Sequence, residues 1–189
     1  TLHDYVDYFY KHWKNFEIIV VTDGCIDNTV KIVKSFRTKH VKNINYGKKL
    51  GKGSAILKGF EKADGNIIGF VDADESVRPE DFHKMASQIG EYDCGVASRR
   101  TKDSKVLAKQ PIRRRVLGRT YNIIVNLLFG LRIKDTQCGA KVFSKNAMQF
   151  ILSKGTITKG YSFDIEILWN LRREKFRIKE YPVTWMHMK

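Results

Sequence analysis

Asp72 and Asp74 stand one residue apart at the end of an apolar run, Asn66–Val71, that follows Gly65. A short stretch of Ile, Val and Phe bounded by Gly and by carboxylates predicts a buried strand, with the acidic pair at its carboxyl end. In an open parallel sheet that end faces the crevice where ligands bind, and two carboxylates there could share a hard cation such as Mg²⁺ or Mn²⁺. A polar turn would have the same sequence, so the pair alone decides nothing. Asp23 ends a second such run, Glu17–Thr22. Asp27 or Asn28 is explained as a cap for the helix that follows. Asp23 is not, and its carboxylate could accept hydrogen bonds from a nucleobase. Tyr46–Ser54, YGKKLGKGS, sets glycines and lysines before a helix, where N–H and ammonium groups suit phosphates. Lys52 lacks the spacing of a Walker loop, and a flexible basic connection is the other reading.

The elements that position these residues alternate. Thr1–Phe16 carries Tyr5, Phe9 and Trp13 at helical spacing. Strands are expected at Glu17–Thr22, Val41–Asn45, Asn66–Val71 and Tyr92–Ser98, with helices through Val33, Ile56–Phe60 and Pro79–Ile89 between them. Such alternation implies an α/β fold with a mostly parallel sheet covered by helices on both faces. Arg99–Arg115 holds eight Lys or Arg against one Asp and reads as a mobile loop. Val116–Leu131 reads as a helix with apolar residues on more than one face, either resting on a lipid interface or buried in a core or dimer contact. Asp135–Phe143 starts polar and ends β-like, Ser144 caps a further helix, and Gly160–Leu171 puts Asp164 in a first helical turn, where the helix dipole favours it. A strand over Arg177–Trp185 closes the chain.

With 189 residues, 42% of them hydrophobic and 29% charged, the composition fits one globular domain over 1–189 and excludes disorder. A net charge of +15 attracts polyanions: nucleotides, nucleic acid or an anionic membrane face. Cys25, Cys94 and Cys138 are odd in number and far apart, which favours reduced thiols in a cytosolic setting over a zinc site. No signal peptide is visible, and no apolar run reaches the ~18 residues that a membrane span needs. The opening helix runs into a strand with no strand before it, as expected of an incomplete copy of a longer protein.

Asp23-Gly-Cys-Ile-Asp27-Asn-Thr29, Gly51-Lys52-Gly53, Asp72-Ala-Asp74, Asp135-Thr-Gln-Cys-Gly139 with its following Lys-x-Phe, and Phe163-Asp-Ile-Glu166 occur in one order. Together they resemble the family 2 glycosyltransferases of GT-A fold, over essentially the whole chain. Within that family the chain looks like the dolichyl-phosphate hexose synthases, nearer the glucosyl than the mannosyl branch. The resemblance implies a Rossmann-like sheet lacking its first strand. It also implies that Asp23 contacts the nucleobase, that Lys52 and Gly53 lie near the nucleotide, and that Asp72 and Asp74 hold ribose, diphosphate and Mg²⁺ or Mn²⁺. Gln137 and Gly139, within Asp135–Gly139, would line the acceptor side, which Asp164 or Glu166 completes. Thr22, Cys25 and Ala140 depart from the family's usual Asp, Ser and aromatic residue, which leaves the sugar and the fit of the acceptor open. The segment Pro-x-Tyr-Asn-Glu of the family's opening strand is absent.

The expected reaction is inverting transfer of glucose or mannose from UDP-glucose or GDP-mannose to a polyprenyl phosphate, at the cytoplasmic face of a membrane that the protein touches peripherally. A phosphate acceptor is largely ionised at neutral pH, so Asp135 and Asp164 are expected mainly to position, with proton abstraction secondary. Arg99, Arg113 and Arg114 are candidates to hold the lipid phosphate, since guanidinium groups bind phosphate oxygens in pairs. A soluble sugar or polysaccharide acceptor is the alternative. A nucleic-acid-binding module rests on charge alone and does not explain acidic residues at three strand ends, so no nucleic acid is expected as a partner.

Overall fold

The computed structural model describes residues 1–108, 110–155, 158 and 160–186. Its first half alternates as the periodicity predicts: α1 (Leu2–His12), β1 (Ile18–Asp23), α2 (Thr29–Ser35), β2 (Val41–Tyr46), α3 (Lys52–Phe60), β3 (Ile67–Val71), α4 (Pro79–Ser87) and β4 (Cys94–Ser98). Then follow β5 (Lys105–Ala108), α5 (Ile112–Phe129), β6 (Ala140–Ser144), α6 (Lys145–Lys154), α7 (Phe163–Arg173), β7 (Ile178–Pro182) and β8 (Thr184–Met186).

The four-stranded sheet has the order β3-β6-β4-β7. Three of its strands run one way, and β6 runs against both neighbours. The reversal follows from the connection. α5 returns the chain to the carboxyl ends of β3 and β4, so β6 must descend, and the turn that opens it lies beside those ends. β1 and β2 form a separate parallel pair, as do β5 and β8.

Successive β6 residues face opposite ways, as a pleated strand requires. Phe143 joins Phe60, Phe70, Phe163, Leu168 and Leu171 beneath α3, α6 and α7. Val142 joins Met85, Ala86, Tyr181 and Trp185 on the α4 side. Both faces of the sheet are thus covered.

Two expectations are corrected. The basic stretch Arg99–Arg115 is not a loop throughout: Lys105–Ala108 pairs in parallel with Thr184–Met186, and α5 begins at Ile112, after Pro111. Pairing between residues so far apart leaves no local signal, and arginine is a good helix former despite its charge. The closing strand is two strands in two sheets, parted at Val183.

Among its residues α5 buries only Asn122 and Val125. Val116, Leu117, Ile123, Ile124, Leu127 and Leu128 are exposed, Leu127 to 80% and Leu128 to 73%. Among the described residues, no helix is long and apolar enough to cross a membrane.

Candidate active site

Asp23 closes β1, and its two carboxylate oxygens accept the backbone N–H groups of Leu50, at 2.5 Å, and Gly51, at 2.9 Å. It therefore ties the end of β1 to the basic connection before α3. Lys52 begins that helix and sets its Nζ 2.8 Å from Asp72 Oδ1. Gly53 serves packing: a Cβ there would stand 2.7 Å from Phe163 Cβ and 2.9 Å from the Thr158 carbonyl oxygen. Only a glycine lets α3 come this close to the start of α7, and the approach brings Lys52 to the same crevice as Asp164.

Asp72 follows β3 and donates its N–H to Gly139 O at 2.8 Å. A Cβ on Gly139 would fall 2.5 Å from Asp72 Oδ2, so the turn before β6 can lie against this carboxylate only as glycine. Burial raises the Asp72 pKa; Lys52 opposes that shift, and the carboxylates of Asp74 and Asp164 add to it. Asp74, two residues on, is exposed and accepts the Ser76 N–H at 3.0 Å.

Asp135 is 1% exposed and sits at the other end of the turn. Arg99, just after β4, grips it with Nε to Oδ2 and Nη2 to Oδ1, both at 2.7 Å, and adds its own N–H at 2.9 Å. Burial would raise the Asp135 carboxyl, but the hydrogen bonds and charge of Arg99, helped by Arg100, hold it below the usual carboxylate range. The same pair lifts Arg99 above its ordinary value against the effect of burial.

Asp164, in the first turn of α7, is buried and accepts a hydrogen bond from Lys141 Nζ at 2.5 Å. Lys141 is wholly buried, faces the α7 side of β6, and donates also to Cys138 O at 3.1 Å. Sequence reasoning gave Lys141 no role, although an ammonium inside an apolar strand is itself a signal, since such a charge needs a buried partner. It also passed over Glu180 of β7, whose carboxylate accepts the N–H groups of Lys134 at 2.9 Å and Asp135 at 3.1 Å.

Beside Asp135 lies a pocket of about 240 Å³ lined by Arg99, Arg100, Arg114, Arg115, Arg119 and Gln137, among others. Gln137 Nε2 is buried and, among the described residues, has no hydrogen-bond partner. Arg113 is exposed and does not line this pocket. The structure thus gathers Lys52, Asp72, Asp164 and Gly139 in one crevice, and Arg99, Arg114, Asp135 and Gln137 next to it. The two groups are joined by the turn Asp135–Gly139.

Asp72 and Asp74 suit a divalent cation. Both offer hard oxygen donors, and the carboxylates crowding Asp72 leave negative charge that the Lys52 ammonium meets only in part. Among the described residues no group of three or more His, Cys, Asp or Glu is arranged to hold a metal, so other ligands would have to come from water or a bound diphosphate.

Residues 1–152 match the family described as "Glycosyl transferase family 2". The chain belongs to that family. It is 32% identical to glycosyltransferase AglD of Haloferax volcanii over 174 residues, 90% of this chain and 27% of that protein. It is 30% identical to dolichyl-phosphate beta-glucosyltransferase ALG5C of Trichomonas vaginalis over 90% of this chain and 52% of that one. The dolichyl-phosphate beta-glucosyltransferase of Saccharomyces cerevisiae is likewise 30% identical, over 93% of this chain and 58% of its own length. The chain thus spans about half the length of two of these relatives and less of the first. Among solved structures, glucosyl-3-phosphoglycerate synthase from Mycobacterium tuberculosis, in complex with Mn²⁺, uridine-diphosphate and phosphoglyceric acid, superposes with a TM-score of 0.69 at 14% identity, covering 100% of this chain and 66% of that one. The shared fold is an α/β glycosyltransferase fold.

Proposed function

We propose that this family 2 glycosyltransferase moves a hexose from a nucleotide diphosphate sugar to a polyprenyl phosphate at a membrane surface. One observation carries the reading: a pocket of arginines and Gln137, whose Nε2 has no partner among the described residues, lies beside α5, which exposes a long apolar face. A lipid phosphate needs both, cationic donors for its head and an apolar surface for its chain. The names of the relatives in Trichomonas and yeast agree with such an acceptor and with glucose as the sugar.

In this mechanism Asp72 and Asp74 would hold Mg²⁺ or Mn²⁺, which would supply positive charge against that growing on the departing diphosphate. Lys52 offers an ammonium to the same diphosphate. Asp23 fixes the connection Tyr46–Gly51 along which the nucleotide lies, with Gly53 allowing α3 to approach. Arg114 and Gln137 hold the acceptor phosphate, and Arg99 keeps Asp135, and with it the turn to Gly139, in place. A phosphate oxygen attacks the anomeric carbon as the bond from that carbon to the diphosphate oxygen breaks, with inversion. The attacking oxygen is already ionised, so neither Asp135 nor Asp164 need remove a proton. Peripheral contact at the cytoplasmic face would bring the acceptor within reach, and nucleic acid has no part.

The test is transfer of labelled glucose from UDP-glucose, and of mannose from GDP-mannose, to polyprenyl phosphate in vesicles, with free sugars and phosphoglycerate as competing acceptors. Metal-dependent formation of a lipid-linked hexose is the expected result. Transfer to a soluble acceptor alone would replace this reading.

A further inference from the structure

Two asparagines of α5 hydrogen-bond the segment that leads into the acceptor turn. Asn122 Nδ2 donates to Ile133 O at 3.0 Å, and its Oδ1 accepts from the Thr136 N–H at 3.1 Å and the Thr136 hydroxyl at 2.9 Å. One turn on, Asn126 donates to the same Ile133 carbonyl at 2.8 Å and accepts the Ile133 N–H at 2.9 Å. These bonds enclose the segment that delivers Asp135 to Arg99. Its remaining N–H groups, on Lys134 and Asp135, go to Glu180 of β7. One wall of the clamp is thus the rigid sheet, and the other is α5.

We propose that Asn122, backed by Asn126, is a positioning residue that makes the placement of the acceptor turn depend on the placement of α5. α5 buries only Asn122 and Val125, while its opposite face exposes Val116, Ile123 and Leu127. A helix with so little apolar packing relies on polar ties, these asparagines and the Arg100 guanidinium that donates to Gly118 O at 3.1 Å, and a buried asparagine bonded through both ends of its amide favours one arrangement. The free face of α5 suits an anionic lipid surface, being apolar with the exposed Arg113 at its amino-terminal end. Seating α5 in that surface therefore restrains Ile133 and Thr136 through the asparagines, and through them Asp135, Gln137 and Gly139. The acceptor side of the site becomes ordered where the lipid-borne acceptor is found. This inference rests on the membrane reading above and adds to it how the surface would act on the site.

The decisive measurement is hydrogen exchange at the Ile133 and Thr136 amides, with and without vesicles containing phosphatidylserine. Seating of α5 should slow both by about tenfold or more, because local opening then requires moving the seated helix. In Asn122→Ala the slowing should vanish although vesicles still bind. In the same variant kcat/KM for polyprenyl phosphate should fall about tenfold or more while nucleotide affinity stays within about twofold, a split that general loosening would not produce. Exchange that ignores vesicles in the wild type, or equal losses toward donor and acceptor, would overturn the proposal. Should Asn122→Ala not fold, the wild-type exchange decides alone, with Asn126→Ala as the second variant. Vesicle-dependent protection without any transfer to polyprenyl phosphate would remove the proposed reaction and leave the clamp standing.

Discussion

Asp135 shows how little a carboxylate's sequence context says about its state. Read along the chain it could be a base. In the fold both oxygens meet Arg99, and the pair holds its carboxyl below the usual range. A depressed pKa means that Asp135 stabilises the fold above its unfolded value of about 3.9, and that this contribution is lost as pH falls through the lower folded value. Asp135→Asn should therefore lower stability at neutral pH by about 3 kcal/mol, since it leaves the Arg99 charge buried without its partner. The deficit should shrink on acidification below about pH 4, which thermal unfolding across pH would read. Transfer by the surviving folded fraction should persist, with an acid limb near the acceptor phosphate's second pKa of about 6. An acid limb that disappears with Asp135→Asn would make Asp135 the proton acceptor. Lys141 and Asp164 form the other buried pair. Lys141→Met alone should cost about 3 to 5 kcal/mol, whereas Lys141→Met with Asp164→Leu should restore much of it, because the double change leaves no lone charge. Urea denaturation of the two variants and of Asp164→Leu would close that cycle, and additive losses would mean that the two charges do not depend on each other.

At the level of elements, α5 is where local pattern and fold part company most. Its excess of apolar residues was legible in the sequence, and so was the choice between a lipid interface and a buried contact. The structure leaves that face open. Leu117→Asp and Leu127→Asp should accordingly change stability by no more than about 0.5 kcal/mol, being surface changes, yet lower cosedimentation with anionic vesicles severalfold. Val125→Asp, on the buried face, should destabilise instead. A Leu127→Asp variant that unfolds would show the face to be packed after all. The strand ends at Asp23 and Asp72 were equally legible, because a buried apolar run that stops at a carboxylate carries its own boundary. The start of α5 and the pairing of β5 with β8 were not, since the first lies inside a run of charge and the second joins residues some 80 positions apart. Nor was the reversal of β6, which depends on where α5 returns the chain. The partners of the turn were hidden for the same reason: Glu180 and Lys141 lie on strands, and Asn122 within an apolar helix, where a lone polar residue is easily taken for surface.

For the molecule as a whole, the net charge of +15 and the open face of α5 act at different ranges. Each Lys or Arg near an anionic surface contributes about 1 kcal/mol, and the attraction fades beyond a Debye length of about 8 Å at physiological salt. Charge of that size brings the protein to any polyanion, nucleic acid included, so it cannot by itself select a membrane. Apolar burial is short-ranged and does not weaken with salt in this way. Binding to phosphatidylserine vesicles should therefore fall as salt is raised from about 0.05 to 0.5 M and level off above zero, the remainder belonging to α5. Binding to a polynucleotide should fall over the same range with no such remainder, because it rests on released counterions. Leu127→Asp with Leu128→Asp should remove the plateau and leave the salt-dependent part nearly intact. Cosedimentation of both proteins across that salt series distinguishes the cases. A wild type whose vesicle binding vanishes with salt as polynucleotide binding does would reduce the membrane contact to charge alone, and α5 would then have to be covered by another protein.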